Sequence, residues 1–137
     1  MFKGVCLSVF VVVVSNSSLL CIGKAVSPFH YVFYCTGVEE GDVGDDWKLV
    51  MDIDLAELGA SYLYVQLHNI GDYSLDFELR RLIPLEGVKE GLEKKDSIAA
   101  KDFYEIELTR PLHWKLYVKN TTTGQTTKYK IFVRVVK

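Results

Sequence analysis

Short runs of alternating apolar and polar residues recur from residue 29 to the C-terminus, and few folds accommodate them. Successive residues of a strand point to opposite sides, so each such run has one dry and one wet face. The first candidate, 29–36 (FHYVFYCT), is aromatic and β-branched. In 47–53, Trp47, Leu49, Met51 and Ile53 share one side. In 62–68 it is Leu63, Val65 and Leu67, and in 73–79 it is Tyr73, Leu75, Phe77 and Leu79. The runs 103–108, 114–118 and 127–135 do the same with Tyr104, Ile106 and Leu108, with Trp114, Leu116 and Val118, and with Tyr129, Ile131, Val133 and Val135. One-sided strands bury their dry faces most economically as two antiparallel sheets packed together. The expectation is an all-β antiparallel two-sheet β-sandwich, jelly-roll-like or Ig-like, of seven or eight strands.

Turn chemistry agrees. Asn69-Ile70-Gly71-Asp72 and the run 120–125 (NTTTGQ) each join two strands. Residues 54–59 (DLAELG) read as one helical turn with Asp54 as cap and Gly59 as stop. The charged stretch 85–101 reads as a long crossover with an irregular edge strand. Leu85, Val88 and Leu92 are spaced for a helical turn there, against which Gly87 and Gly91 each weigh about 1 kcal/mol.

Ahead of the alternating region, Lys3 precedes an apolar run, 5–14, that ends in Ser15-Asn16-Ser17-Ser18. A charge, a short greasy stretch and a polar close form the pattern of an export signal. A bilayer span needs about 20 apolar residues, and extending the run to Ile22 would bury four adjacent polar side chains. The chain therefore divides into 1–23, an export signal (or, alternatively, a membrane anchor), and 24–137, the sandwich domain. Cleavage before Cys21 with lipid attachment is a further alternative, although Leu19-Leu20 is bulky for such a site. A strand or helix buried at the start of a cytosolic protein is the plain alternative to all three.

After a cut near Gly23, 114 of the 137 residues remain, enough for one domain with its own core. The net charge of -2 becomes -3 once Lys3 is removed, which argues against a general nucleic-acid binder. Of the three cysteines, Cys6 lies in the leader. Cys35 alone survives a cut after Gly23 and then reads as a buried thiol. An earlier cut leaves Cys21 and Cys35 able to bridge.

Charge is segregated. Residues 38–57 hold eight acids against Lys48, and 110–137 hold seven bases and no acid. The acidic pole includes Glu39, Glu40, Asp42, Asp45 and Asp46 around Gly41 and Gly44. These are oxygen ligands of the kind calcium takes, at a spacing that matches no EF-hand loop. At the basic pole, a hairpin of 114–119 with 127–135 would put Lys115, Tyr117, Lys119, Lys128, Lys130, Phe132 and Arg134 on one outer face. Cations interleaved with aromatics suit an anionic polymer or another protein. The plain alternatives are solvated faces and a lysine-protected edge.

His30, His68 and His113 lack metal-like spacing, and no nucleophile or carboxylate pair stands in a catalytic motif. Asn120-Thr121-Thr122 matches a glycosylation acceptor, relevant in a eukaryotic secretory route.

Asp45-Asp46-Trp47, Tyr64-Val65-Gln66-Leu67, the run 71–79 (GDYSLDFEL), 114–118 (WKLYV) and 129–133 (YKIFV) together resemble the pre-peptidase C-terminal β-sandwich modules of exported prokaryotic proteins. The resemblance spans most of the region after the leader and implies a jelly-roll-like sandwich without catalysis of its own. Such modules are usually appended to a secreted hydrolase, whereas this domain follows a leader directly. The resulting expectation is a non-catalytic exported module of the cell envelope or extracellular space, contacting a protein, a glycan or an anionic surface, with no stable membrane span once the leader is gone. The alternative is a structural subunit of a surface assembly, in which the strand 29–35 completes a neighbour's sheet.

Overall fold

The computed structural model describes residues 7–14, 17–27, 30–83 and 89–136, with side-chain surroundings for 36–82 and 89–136. In chain order the elements are β1 (Leu7–Val14), β2 (Ser17–Ser27), β3 (His30–Val43), β4 (Lys48–Asp54), α1 (Leu55–Leu58), β5 (Tyr62–Asn69), β6 (Leu75–Ile83), β7 (Lys89–Ile98), β8 (Phe103–Leu108), β9 (His113–Asn120) and β10 (Thr127–Val136). They form two sheets, ordered β1-β2-β3-β10-β5-β8 and β4-β9-β6-β7, with antiparallel pairing throughout.

Strands β3 to β10 are a jelly roll. The four-stranded part β3-β10-β5-β8 faces β4-β9-β6-β7, and the links β3–β4, β5–β6, β7–β8 and β9–β10 each pass from one sheet to the other. The expected sandwich is present, and its eighth strand is β7, drawn from the stretch read as a crossover with an irregular edge. Leu92 sits in that strand, 54% exposed, rather than on a helix, while Leu85 and Val88 lie outside the described residues. The helical turn is where it was expected. Asp54 accepts from the Glu57 amide (3.1 Å), and Gly59 closes it at φ 64°, a conformation that favours glycine.

Between the sheets, Trp114, Tyr129, Phe77, Met51, Leu63 and Leu116 are fully buried. Asn69, also buried, locks the end of β5. Its amide nitrogen donates to Tyr73 O (2.7 Å) and Ile98 O (3.0 Å), and its oxygen accepts from the Gly71 amide (3.2 Å) and the Thr127 hydroxyl (3.0 Å). Gly71 is required for space. A Cβ there would lie 2.5 Å from the Lys128 amide nitrogen, on backbone that cannot yield cheaply.

Two expectations about facing are corrected. β4 carries a bulge: Leu49 opposes Tyr117 and Met51 opposes Leu116, leaving Val50 as the extra residue. The bulge switches the strand's parity, so Val50, Met51 and Ile53 are buried while Trp47 is 38% exposed. Tyr73 precedes β6 and is exposed, because its carbonyl, not its ring, is what the Asn69 turn uses.

The N-terminal residues add a hairpin to the larger sheet. β1 pairs with β2, and β2 pairs with the first half of β3, with Cys21 directly opposite Cys35 in the register. The residues read as a leader, 1–23, thus supply β1 and most of β2. β10 joins β3 from Tyr34 onward, so among the described residues 30–33 pair with β2 alone.

Candidate functional site

Each sheet has an outer face, and the two differ in how far their polar groups satisfy one another. On the β4-β9-β6-β7 face, Arg80 bridges Glu78 and Glu90 (3.2 Å to the latter), and Lys115 also reaches Glu90 (3.4 Å). The Tyr117 hydroxyl donates to Glu90 (2.9 Å) under the Arg80 guanidinium. Burial, and then the Glu90 carboxylate beside it, pushes the Tyr117 phenol up to about 12. Burial also pushes Glu90 upward, but hydrogen bonds from Tyr117, Arg80 and Lys115 outweigh it and hold its carboxyl below its ordinary value. His113 contacts Asp52, and Lys119 covers the Trp47 ring (4.9 Å). This face is occupied with its own pairs.

The β8-β5-β10-β3 face is different. Its pairing registers lay out three rungs across the sheet: Phe103–His68–Lys130–Glu40, Glu105–Gln66–Phe132–Val38 and Glu107–Tyr64–Arg134–Thr36. The Phe103 and His68 rings stack at 5.0 Å with planes 20° apart. Gln66 ties the rungs together. Its amide nitrogen donates to the Tyr64 hydroxyl (2.7 Å) and to Glu105 (3.4 Å), and its oxygen meets His68 Nε2 at 3.2 Å. An amide oxygen only accepts, so in this contact the His68 ring donates from Nε2. Phe103 is 48% exposed and Val38 57%. Along β5 from Tyr62 to His68 the platform runs about 20 Å at ~3.3 Å per residue.

Its charge is banded. The bases Lys128, Lys130 and Arg134 lie on β10, with Glu105 and Glu107 two strands away on β8 and Glu40 and Asp42 alongside on β3. Lys130 pairs with Glu40 (3.6 Å). Among the described residues Lys128 and Arg134 form no ion pair.

The hairpin that would have gathered the basic residues does not form. β9 and β10 lie in different sheets, because the 120–125 turn passes between layers instead of reversing within one. Lys115, Tyr117 and Lys119 therefore sit on one outer face, and Lys128, Lys130, Phe132 and Arg134 on the other.

The five acidic residues do not converge either. β3 continues to Val43, so strand alternation sends Glu39 inward, where it accepts from the Tyr129 hydroxyl (3.2 Å), and Glu40 and Asp42 outward. Asp45 instead caps the 121–124 turn, accepting from the Gly124 amide (2.9 and 3.0 Å) and from Asn120 (2.9 Å); Asp46 is exposed beside it. Among the described residues no three His, Cys, Asp or Glu side chains form a metal-type cluster. The sequon residue Asn120 is 3% exposed, with its amide nitrogen engaged by Asp45 and Gln125.

Charge pattern gives no sign that Phe103, His68, Gln66 and Tyr64 form a group. The signal was available in the alternation: with Leu63, Val65 and Leu67 inward, Tyr64, Gln66 and His68 must share the outer face. What alternation lacks is which strands lie beside them.

No family model matches the chain, and no curated protein matches it. Solved structures do share its fold. A protein of Bacillus endospore appendages, described as disulfide-linked pili, aligns over 76% of this chain and 87% of its own at 7% identity, with a TM-score of 0.52. PirA aligns over 72% of this chain and 92% of its own at 11% identity, with a TM-score of 0.50. At such identities the likeness is one of fold. No helix among the described residues is long and apolar enough to cross a membrane.

Proposed function

We propose that the protein is a non-catalytic, exported binding module that takes an uncharged, extended polar polymer, a glycan chain, on the outer face of β8-β5-β10-β3. The observation that carries this is the Gln66-centred ladder beside the stacked Phe103–His68 pair. Aromatic faces offer apolar contact to sugar rings, and amide, hydroxyl and carboxylate groups held in register offer donors and acceptors to their hydroxyls. The β10 cations alone would favour an anionic polymer. The carboxylates on β3 and β8 cancel that field at strand spacing, which favours a neutral ligand. Support for export comes from the pattern of residues 1–23.

Electrophoresis through gels containing soluble neutral polysaccharides (glucans, xylan, galactomannan), with carboxymethylcellulose as anionic counterpart, tests the reading. Retardation by a neutral polymer, abolished in a Phe103→Ala/His68→Ala variant, is the expected result. Mobility unchanged in every neutral gel, or retardation that the variant keeps, overturns it.

A second reading, a structural subunit joined by strand addition, rests on the stretch 30–33, which among the described residues pairs with β2 alone. Removal of residues 1–23 would leave Lys24–Ser27 as the described part of that partner strand and open the β3 edge to a neighbour. The fold shared with a pilus protein is compatible with it. A concentration-independent monomer after processing would remove it.

A further inference from the structure

We infer that the free edge of β8 is a docking site for an extended peptide that alternates apolar and basic residues, bound by addition of a strand. The argument begins with backbone polarity. The Asn69 amide donates to Asp102 O (2.9 Å), which makes that opposed pair a hydrogen-bonded one in the β5–β8 register. Such pairs alternate along antiparallel strands, so Tyr104, Ile106 and Leu108 bond to β5, while the amides and carbonyls of Phe103, Glu105 and Glu107 point away from it. The Ile70 amide bonded to Lys128 O on the far side of β5 gives the same alternation independently. The Phe103 amide is capped by the Asp102 carboxylate (2.8 Å). Among the described residues β8 pairs with β5 alone, so the amides of Glu105 and Glu107 and three carbonyls face outward.

A cavity of about 240 Å³ lies beside this edge, where the two sheets part. Every residue from Tyr104 to Leu108 lines it, with Leu79, Glu93 and Lys94 across from them on the other sheet. A strand added to β8 would send alternate side chains into this gap, over Leu79, Ile106 and Leu108, and the others toward the Glu105 and Glu107 carboxylates. Lys94, held over the Tyr104 ring (4.8 Å), stands on the gap side and repels a basic residue there. Apolar residues inward and basic residues outward is the pattern that this arrangement selects. The neighbouring edge, β7, borders the same cavity but is guarded. It carries Lys89, Lys94 and Lys95 and a register shift opposite Leu79 and Arg80, which are devices that discourage pairing.

The probe is a short, end-capped alternating Lys-Val peptide, with a Glu-Val peptide as control. Saturable binding of the Lys-Val peptide to the full chain by fluorescence anisotropy, with no Glu-Val binding, is expected. Hydrogen exchange should slow at the Glu105 and Glu107 amides while Tyr104, Ile106 and Leu108 stay as protected as before. Glu107→Pro removes an outward amide without touching the β5 ladder, and it should weaken binding about tenfold with the melting temperature checked alongside. Glu105→Lys/Glu107→Lys keeps the backbone intact and should weaken it by about tenfold through charge alone. The inference fails if the Lys-Val peptide does not bind, if the Glu-Val peptide binds as well, or if folded variants bind unchanged.

Discussion

Asn69 and Asn120 are a matched pair for testing how buried amides hold this sandwich together. Both are almost inaccessible, at 1% and 3% exposure, and both end a strand next to a turn. Asn69 makes four hydrogen bonds. In Asn69→Ala, Tyr73 O keeps the Thr127 hydroxyl (3.2 Å) and the Gly71 amide keeps Lys128 O (3.1 Å), while Ile98 O loses the side-chain donor and retains its strand pairing with Leu75. Four bonds at a net worth of about 1 kcal/mol each, less what the two retained partners recover, give a loss of about 2 kcal/mol. For a domain of this size that is about 6 °C in melting temperature. Asn120 donates twice, to Asp45 and Gln125, while its own oxygen has no partner among the described residues. Asn120→Ala deletes that unsatisfied acceptor together with the two bonds. Asp45 keeps the Gly124 amide, and Gln125 is exposed to water. The two effects offset one another to a net loss of about 1 kcal/mol, or about 3 °C. Thermal melts followed by near-ultraviolet dichroism, with urea titration for the free energies, separate the two. Equal losses, or a larger loss for Asn120→Ala, would refute the satisfaction argument.

Two further outcomes follow from the same geometry. The Tyr117 phenol titrates at about 12 when folded and near 10.0 when unfolded, so its contribution to stability is complete below pH 10 and disappears as pH rises toward about 12. Alkaline unfolding followed by phenolate absorbance should show that window, and Tyr117→Phe should make it shallower, leaving the part due to Tyr129, whose phenol burial also raises; an unchanged profile in the variant would count against the Glu90 pairing. Of the two tryptophans, Trp47 is 38% exposed and Trp114 fully buried, so acrylamide should quench one emission component and spare the other, and Trp47→Phe should remove the quenchable one. An absence of any quenchable indole would mean the β4 bulge is misplaced.

Much of the architecture was legible residue by residue. The alternation in β5, β8, β9 and β10 predicts which side chains are buried, and Asp54 and Gly59 announce the helical turn, because these signals are local: a strand has period two and a helix end needs a cap. The bulge in β4 was not legible. One extra residue, Val50, shifts every position before it to the opposite face, and only the register against β9 reveals the shift. β7 was similarly obscured, since a charged edge strand with little buried on either face carries almost no apolar period.

The chain's own pattern of greasy and polar residues dictated an antiparallel sandwich, for one-sided strands have no other economical way to dry their apolar faces. It had no means of dictating that the turn at 120–125 passes between layers, because a turn's residues specify a reversal and not the sheet in which the next strand finds a partner. That long-range pairing separated Lys115, Tyr117 and Lys119 from Lys128, Lys130, Phe132 and Arg134, and it brought Phe103, His68, Gln66 and Tyr64 onto the same platform as Phe132. Which residues are wet is a property of each strand alone; which wet residues are neighbours is a property of the assembled sheet.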